Sequence, residues 1–186
     1  LREQALSQFI SLVRIPALAI RQHVSPLKPL QLLGEDVLQL RVWPSDIDLN
    51  MHMNNGRYLS VMDYARMRML ARTGLLGHII RSRWQPLVGA VWVTYRRPLP
   101  LFSRFALTSR LLCWDERWFY IEQTFANAKG QCAIGWVKGA LRNEKGTLDP
   151  RTVIDGVAPG TLSPEMPEAL AAWNQLTREK LQKDSQ

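Results

Sequence analysis

The sequence predicts an α+β fold in which an antiparallel sheet curls around one long central helix. Three observations carry this expectation. A helical apolar pattern runs over residues 57–73. A single half-buried strand comes before it. Four strand-like segments come after it, with little helix between them, and strands joined by short turns pair antiparallel. At 186 residues, 46% hydrophobic and 22% charged, the chain has the size and composition of one globular domain.

Each element has its own local reason. Residues 37–42 alternate Leu38, Leu40 and Val42 against Gln39 and Arg41, the period of a half-buried strand, and Pro44 stops it. In the helix, Tyr58, Met62, Ala65 and Met69 fall on one face. Asn54 or Asn55 is suited to cap its N-terminus, and Gly74 to take the left-handed position after its C-terminus, with Arg72 complementing the dipole. Leu75 and Leu76 are then placed to tuck back. Leu59, Val61 and Leu70 spill off the apolar face, so the helix is expected to be wrapped on several sides. The later strands are residues 87–95, 105–113, 118–126 and 132–141. Asn127-Ala128-Lys129-Gly130 is a hairpin turn signal. Beyond Pro150 a loop-rich stretch leads to a final amphipathic helix from Glu168 to about Gln182, with Leu170, Trp173 and Leu181 on one side. The expected organisation is a helical extension over 1–35, the main domain over 36–145, and a loop and helix over 146–186 packing on that domain.

Composition narrows the function classes. No apolar run approaches the ~20 residues that span a bilayer. Residues 9–20 are apolar but interrupted by Ser11, Arg14 and Pro16, and read as a short surface or interface helix. The chain begins at Leu1, so an upstream anchor and peripheral membrane association stay open beside a cytoplasmic setting. Cys113 and Cys132 fall in strands without CxxC spacing, which points to buried thiols rather than a disulfide framework or zinc site. The net charge of +8 favours anionic partners: nucleic acid, acidic membrane, an acidic carrier protein or coenzyme A. The basic residues form no dense run. Arg66, Arg68 and Arg72 share the helix, and Arg81, Arg83, Arg96 and Arg97 lie near strand ends. A solvated surface is the default reading, and no nucleic-acid module is recognised.

The chemistry concentrates in Asp46-Ile47-Asp48-Leu49-Asn50-Met51-His52-Met53-Asn54-Asn55, just ahead of the helix. A hydrolase needs a base or nucleophile, a group to orient it, and donors for an oxyanion. Asp48 or His52 can be the first, Asn50 or His52 the second, and first-turn N–H groups the third. The plainer reading is that Asp46 and Asp48 form Asx-turns and that Asn54 and Asn55 cap the helix. With so few histidines and so many asparagines a metal site is not expected, and no cofactor is called for. No phosphate loop or serine elbow is present.

The run Asp48-x-Asn50-x-His52-x-Asn54-Asn55 resembles the Asp-x-Asn-x-His-x-Asn-Asn run of the plant acyl-acyl-carrier-protein thioesterases. The longer stretch from Pro44 through Gly56-Arg57-Tyr58-Leu59 to Asp63-Tyr64-Ala65-Arg66 is most similar to thioesterase superfamily member 6 proteins and their bacterial relatives. Weaker likeness covers about residues 36–173. The resemblance implies a hotdog fold, whose strand order matches the one read above, and hydrolysis of acyl-coenzyme A or acyl-carrier-protein thioesters. By resemblance, Asp48 is nucleophile or general base, Asn50 and His52 position the attacking group, and N–H groups near Asn54, Asn55 and Gly56 polarise the thioester carbonyl. Tyr58 is placed as a substrate-binding residue. The family also implies a homodimer or homotetramer. A non-catalytic acyl-binding or scaffold protein on the same fold is the alternative.

Overall fold

The computed structural model describes residues 28–183. The apolar segment at 9–20 and the 1–35 extension up to residue 27 lie outside them. Alternating sequence becomes strand where expected: β1 (Asp36–Arg41), β2 (Gln85–Tyr95), β3 (Arg104–Trp114), β4 (Phe119–Asn127) and β5 (Gly130–Asn143), with a two-residue β6 (Gly146–Thr147). The long helix α1 spans Asn55–Arg72 and buries Tyr58, Met62, Ala65 and Met69, the predicted face. Thr73 caps it, and Gly74 follows in the left-handed conformation at φ 80°.

Gly74 also starts a helix that periodicity did not reveal, α2 (Leu75–Arg81). It is only two turns long and buries Leu75 and Ile79, an i, i+4 pair too short to carry a pattern. A second short helix, α3 (Pro150–Asp155), interrupts the expected loop; Asp149 caps it by accepting from the Arg151 N–H, and Pro150 supplies its first turn. The last helix, α4 (Glu168–Lys183), falls where expected.

The sheet is entirely antiparallel, in the order β1-β3-β4-β5-β2, with β6 on β5. Pairing between sequence neighbours holds for β3 to β4 and β4 to β5, the latter through the Asn127–Gly130 turn. It fails for β2 and β3. The link over 96–103 carries the chain from one side of the sheet to the other, so β2 pairs with β5 and β3 with β1. A sheet curled around a helix brings strands distant in sequence together.

The main core lies between α1 and the concave face. Met62, Leu107, Phe125, Ala133 and Val137 are there, each at most 1% exposed. Gly135 sits under the helix, where a Cβ would come within 2.6 Å of the Met62 Cε. On the opposite face, α4 packs Leu170 and Trp173 against Tyr120, Trp118 and Trp136. The helix is less enclosed than its sequence suggests, since Leu59 remains 41% exposed. Both cysteines are buried and unpaired.

Candidate active site

The loop ahead of α1 is a closed turn. Ile47 and Met53 form a bridge. Between them, the Asp48 N–H donates to the His52 carbonyl at 3.1 Å and the Met51 N–H to the Asp48 carbonyl at 3.0 Å. Met51 takes a positive φ of 59° to complete the reversal. Asp48 Oδ1 accepts from the Asn50 N–H at 2.8 Å, an Asx-turn. The turn is stitched to the β2–β3 link: Met53 N–H to Leu99 O at 2.9 Å, Leu101 N–H to Met51 O at 3.3 Å, and a His52–Pro100 bridge.

The two aspartates have different surroundings. Asp46 is 8% exposed. Its carboxylate accepts from the Trp43 N–H at 2.9 Å and from Arg57 Nε at 2.6 Å, and its carbonyl accepts from the Asn54 N–H at 2.8 Å. Asp46 therefore ties the loop to the helix. The Asp48 side chain is 26% exposed and lies 3.9 Å from His52 Nδ1, beyond direct hydrogen-bond range. Its Oδ2 has no protein partner among the described residues.

The helix start sorts the remaining motif residues. Asn54 is the N-cap, its Oδ1 accepting from the Gly56 N–H at 2.8 Å, and the Arg57 N–H donates to the Asn54 carbonyl. Gly56 therefore has its donor occupied. The Asn55 N–H is the first-turn donor without a partner among the described residues, and the Tyr95 hydroxyl donates to the Asn55 carbonyl at 3.2 Å. Asn50 is exposed and meets Asp48 through its backbone N–H, not its carboxamide. Tyr58 is a core residue, 2% exposed, with ring centroids 5.0 Å from Tyr95 and 4.8 Å from Phe125. Burial, with Cys132 and Tyr95 nearby, pushes its phenol up to about 12. Its side chain points into the core and not toward solvent.

Two features were not legible in the motif. A cavity of about 230 Å³ lies between the C-terminal half of α1, α2 and the sheet, lined mainly by apolar groups such as Met69, Leu70, Leu87, Val88, Ile121 and Val137. It is assembled from segments far apart in sequence. The basic residues also divide. Arg68 and Arg72 both pair with Asp36, which is 1% exposed, and Arg66 pairs with Asp63, so these three are not a solvated face. Arg96, Arg97, Arg104 and Lys129 are exposed. They lie on or beside the link that carries Leu99 and Pro100, with Arg97 donating to the Lys129 carbonyl. Among the described residues, no group of three or more His, Cys, Asp or Glu is placed to hold a metal ion.

An open carboxylate, an imidazole and a helix N-terminal N–H on one small loop are what acyl transfer to water requires. A curled antiparallel sheet around a helix that starts at such a loop defines a hotdog domain of the thioesterase type. Comparison with known proteins agrees: residues 42–174 match the model of the thioesterase-like superfamily, and the chain belongs to that superfamily. It is 30% identical to the protein THEM6 of Xenopus laevis over 87% of this chain and 77% of that one. The YbaW probable thioesterase of Escherichia coli shares the fold with a TM-score of 0.61 at 20% identity, over 66% of this chain and 96% of that one. So does a Staphylococcus aureus protein solved in complex with CoA, with a TM-score of 0.60 at 19% identity, over 78% of this chain and 96% of that one. No helix among the described residues is long and apolar enough to cross a membrane.

Proposed function

We propose that the chain hydrolyses acyl thioesters of coenzyme A or carrier protein to free acid and thiol. The observation that carries the reading is the Asp48 carboxylate, with one oxygen held by the Asn50 N–H and the other open. It acts as general base or nucleophile. A thioester carbonyl is electrophilic enough for a carboxylate to activate water against it or to attack it directly. His52 orients the attacking group, and Asn50 does so through its backbone. The unpartnered Asn55 N–H, at the positive end of the α1 dipole, is the donor for the developing oxyanion.

The carrier's phosphates fit the cationic rim of Arg96, Arg97, Arg104 and Lys129. The CoA complex of the Staphylococcus aureus relative supports coenzyme A as the carrier. The working unit is a dimer or larger. β2 pairs with β5 on one side only, and its free side presents Leu87, Val88, Val91 and Tyr95, each 39–55% exposed. Such an edge needs a partner. Residues 36–145 form the catalytic unit, with the described part of the C-terminal segment, 146–183, packed on it. The test is a panel of acyl-CoAs assayed for thiol release. A non-catalytic acyl-binding domain, the reading that the apolar cavity alone would allow, gives no release with any of them.

A further inference from the structure

We propose that the cavity between α1 and the sheet binds an acyl chain bearing a neutral oxygen substituent, a hydroxyl or keto group, which accepts a hydrogen bond from Arg66. The proposal rests on the thioesterase reading for the acyl chain, and on the cavity wall for its substituent. The 230 Å³ cavity is apolar nearly throughout, and a dry cavity of about 150 Å³ already holds a benzene ring. The polar residues on its wall are Asp63, Arg66 and Thr73. The Thr73 hydroxyl is turned back to the Met69 carbonyl at 3.0 Å. That leaves the Asp63–Arg66 pair.

Arg66 is built into place. Its side chain is 11% exposed. Nη1 donates to Gln123 Oε1 at 2.9 Å and Nη2 to Asp63. Gln123 is fully buried and locked in turn, its amide donating to the Met62 carbonyl at 3.0 Å and to Ser109 Oγ at 2.9 Å. A guanidinium has five N–H donors in a fixed plane, so these two contacts leave others unused. Burial brings the Arg66 guanidinium down to about 10, because desolvation disfavours its charged form. An acceptor on a ligand would take one of the unused N–H donors.

The choice of a neutral acceptor follows from charge. Asp63 already balances Arg66, so a second carboxylate in the cavity would face Asp63 as well as the guanidinium. A hydroxyl or keto oxygen gains the charge-assisted hydrogen bond without that repulsion. A plain chain fills the apolar volume but leaves the donors unmet.

The experiment has two arms. In the first, free medium-chain acids with one hydroxyl walked along the chain, their plain counterparts and dicarboxylic acids displace a fluorescent fatty acid from the protein, with no turnover involved. In the second, kcat/KM is measured for the matched acyl-CoAs. Wild type is expected to prefer the best hydroxylated chain about 10- to 100-fold, the range for a hydrogen bond to a charged group. In Arg66→Met that preference falls to near unity. If Arg66→Met does not fold, Arg66→Lys serves, since its point charge lacks the planar fork and reduces the preference. No hydroxyl preference in wild type, a preference unchanged in a folded Arg66 variant, or tightest binding by the dicarboxylic acids overturns the proposal. Hydroxyl preference in the displacement arm without turnover of any thioester upholds it and sinks the thioesterase reading.

Discussion

Asp46 and Asp48 are two residues apart and should respond to substitution in opposite ways. Asp46→Ala removes a carboxylate that is 10% exposed and leaves Arg57, 18% exposed, without its partner. It also frees the Trp43 N–H. Breaking a fully buried ion pair costs about 3–5 kcal/mol. Because water reaches part of Arg57, the smaller figure of about 2–3 kcal/mol applies here, close to that of a charge-assisted hydrogen bond. For a chain of this size that lowers Tm by roughly 5–10 °C. Asp48→Asn keeps an amide oxygen able to accept the Asn50 N–H, at a site already 26% exposed, so Tm should move by less than about 2 °C. Its turnover should fall by a factor of about 100 or more, the loss of a base or nucleophile. Thermal melts by circular dichroism and thiol release at saturating thioester read both quantities on the same preparations. Wild-type turnover in folded Asp48→Asn refutes the catalytic assignment. Wild-type stability in Asp46→Ala refutes the clamp.

Three further expectations address other parts of the molecule. Val91→Lys places a charge on the open β2 edge and should yield a monomer by light scattering with activity lost; a variant that keeps both its assembly and its turnover argues against pairing through β2. Arg96→Gln with Arg97→Gln should raise KM for acyl-CoA with kcat little changed, and added salt should raise wild-type KM in the same way, because exposed charges are screened over about 8 Å; equal kcat/KM on acyl-CoA and on an N-acetylcysteamine thioester would remove the carrier role from this rim. Burial alone would raise the Asp115 pKa, but N–H donors from Arg117 and Trp118, the Tyr120 hydroxyl and nearby Arg178 bring it below the ordinary carboxylate value. A depressed folded value gives stability that is present above the unfolded pKa and lost as pH falls through the folded one. The Tm gap between wild type and Asp115→Asn should therefore close as pH falls below the ordinary aspartate value of about 4; a gap that widens there contradicts the assignment.

Local periodicity was enough to find what local forces build. The α1 face of Tyr58, Met62, Ala65 and Met69, the Asn54 cap, the left-handed Gly74 and the Asn127–Gly130 hairpin each depend on residues a few positions apart. The order of Asp, Asn and His through residues 48–55 likewise carries its family resemblance in sequence alone. Other features depend on which segments meet. That β2 crosses to β5 and ends as an open edge follows from curling the sheet, so its apolar residues read as core although Val88 is 55% exposed. Arg66, Arg68 and Arg72 look like a solvated stripe until Asp36 and Gln123 arrive from other elements, adding to the partner that Arg66 already has in Asp63 on its own helix. The Gly56 N–H looks free until Asn54, rather than Asn55, turns its side chain back to accept it. Short-range chemistry determined the elements and marked the Asp- and Asn-rich loop ahead of α1. Burial and pairing between distant segments decided which donors stay open, which charges are neutralised and where the cavity lies, because those are properties of contacts that sequence spacing does not encode.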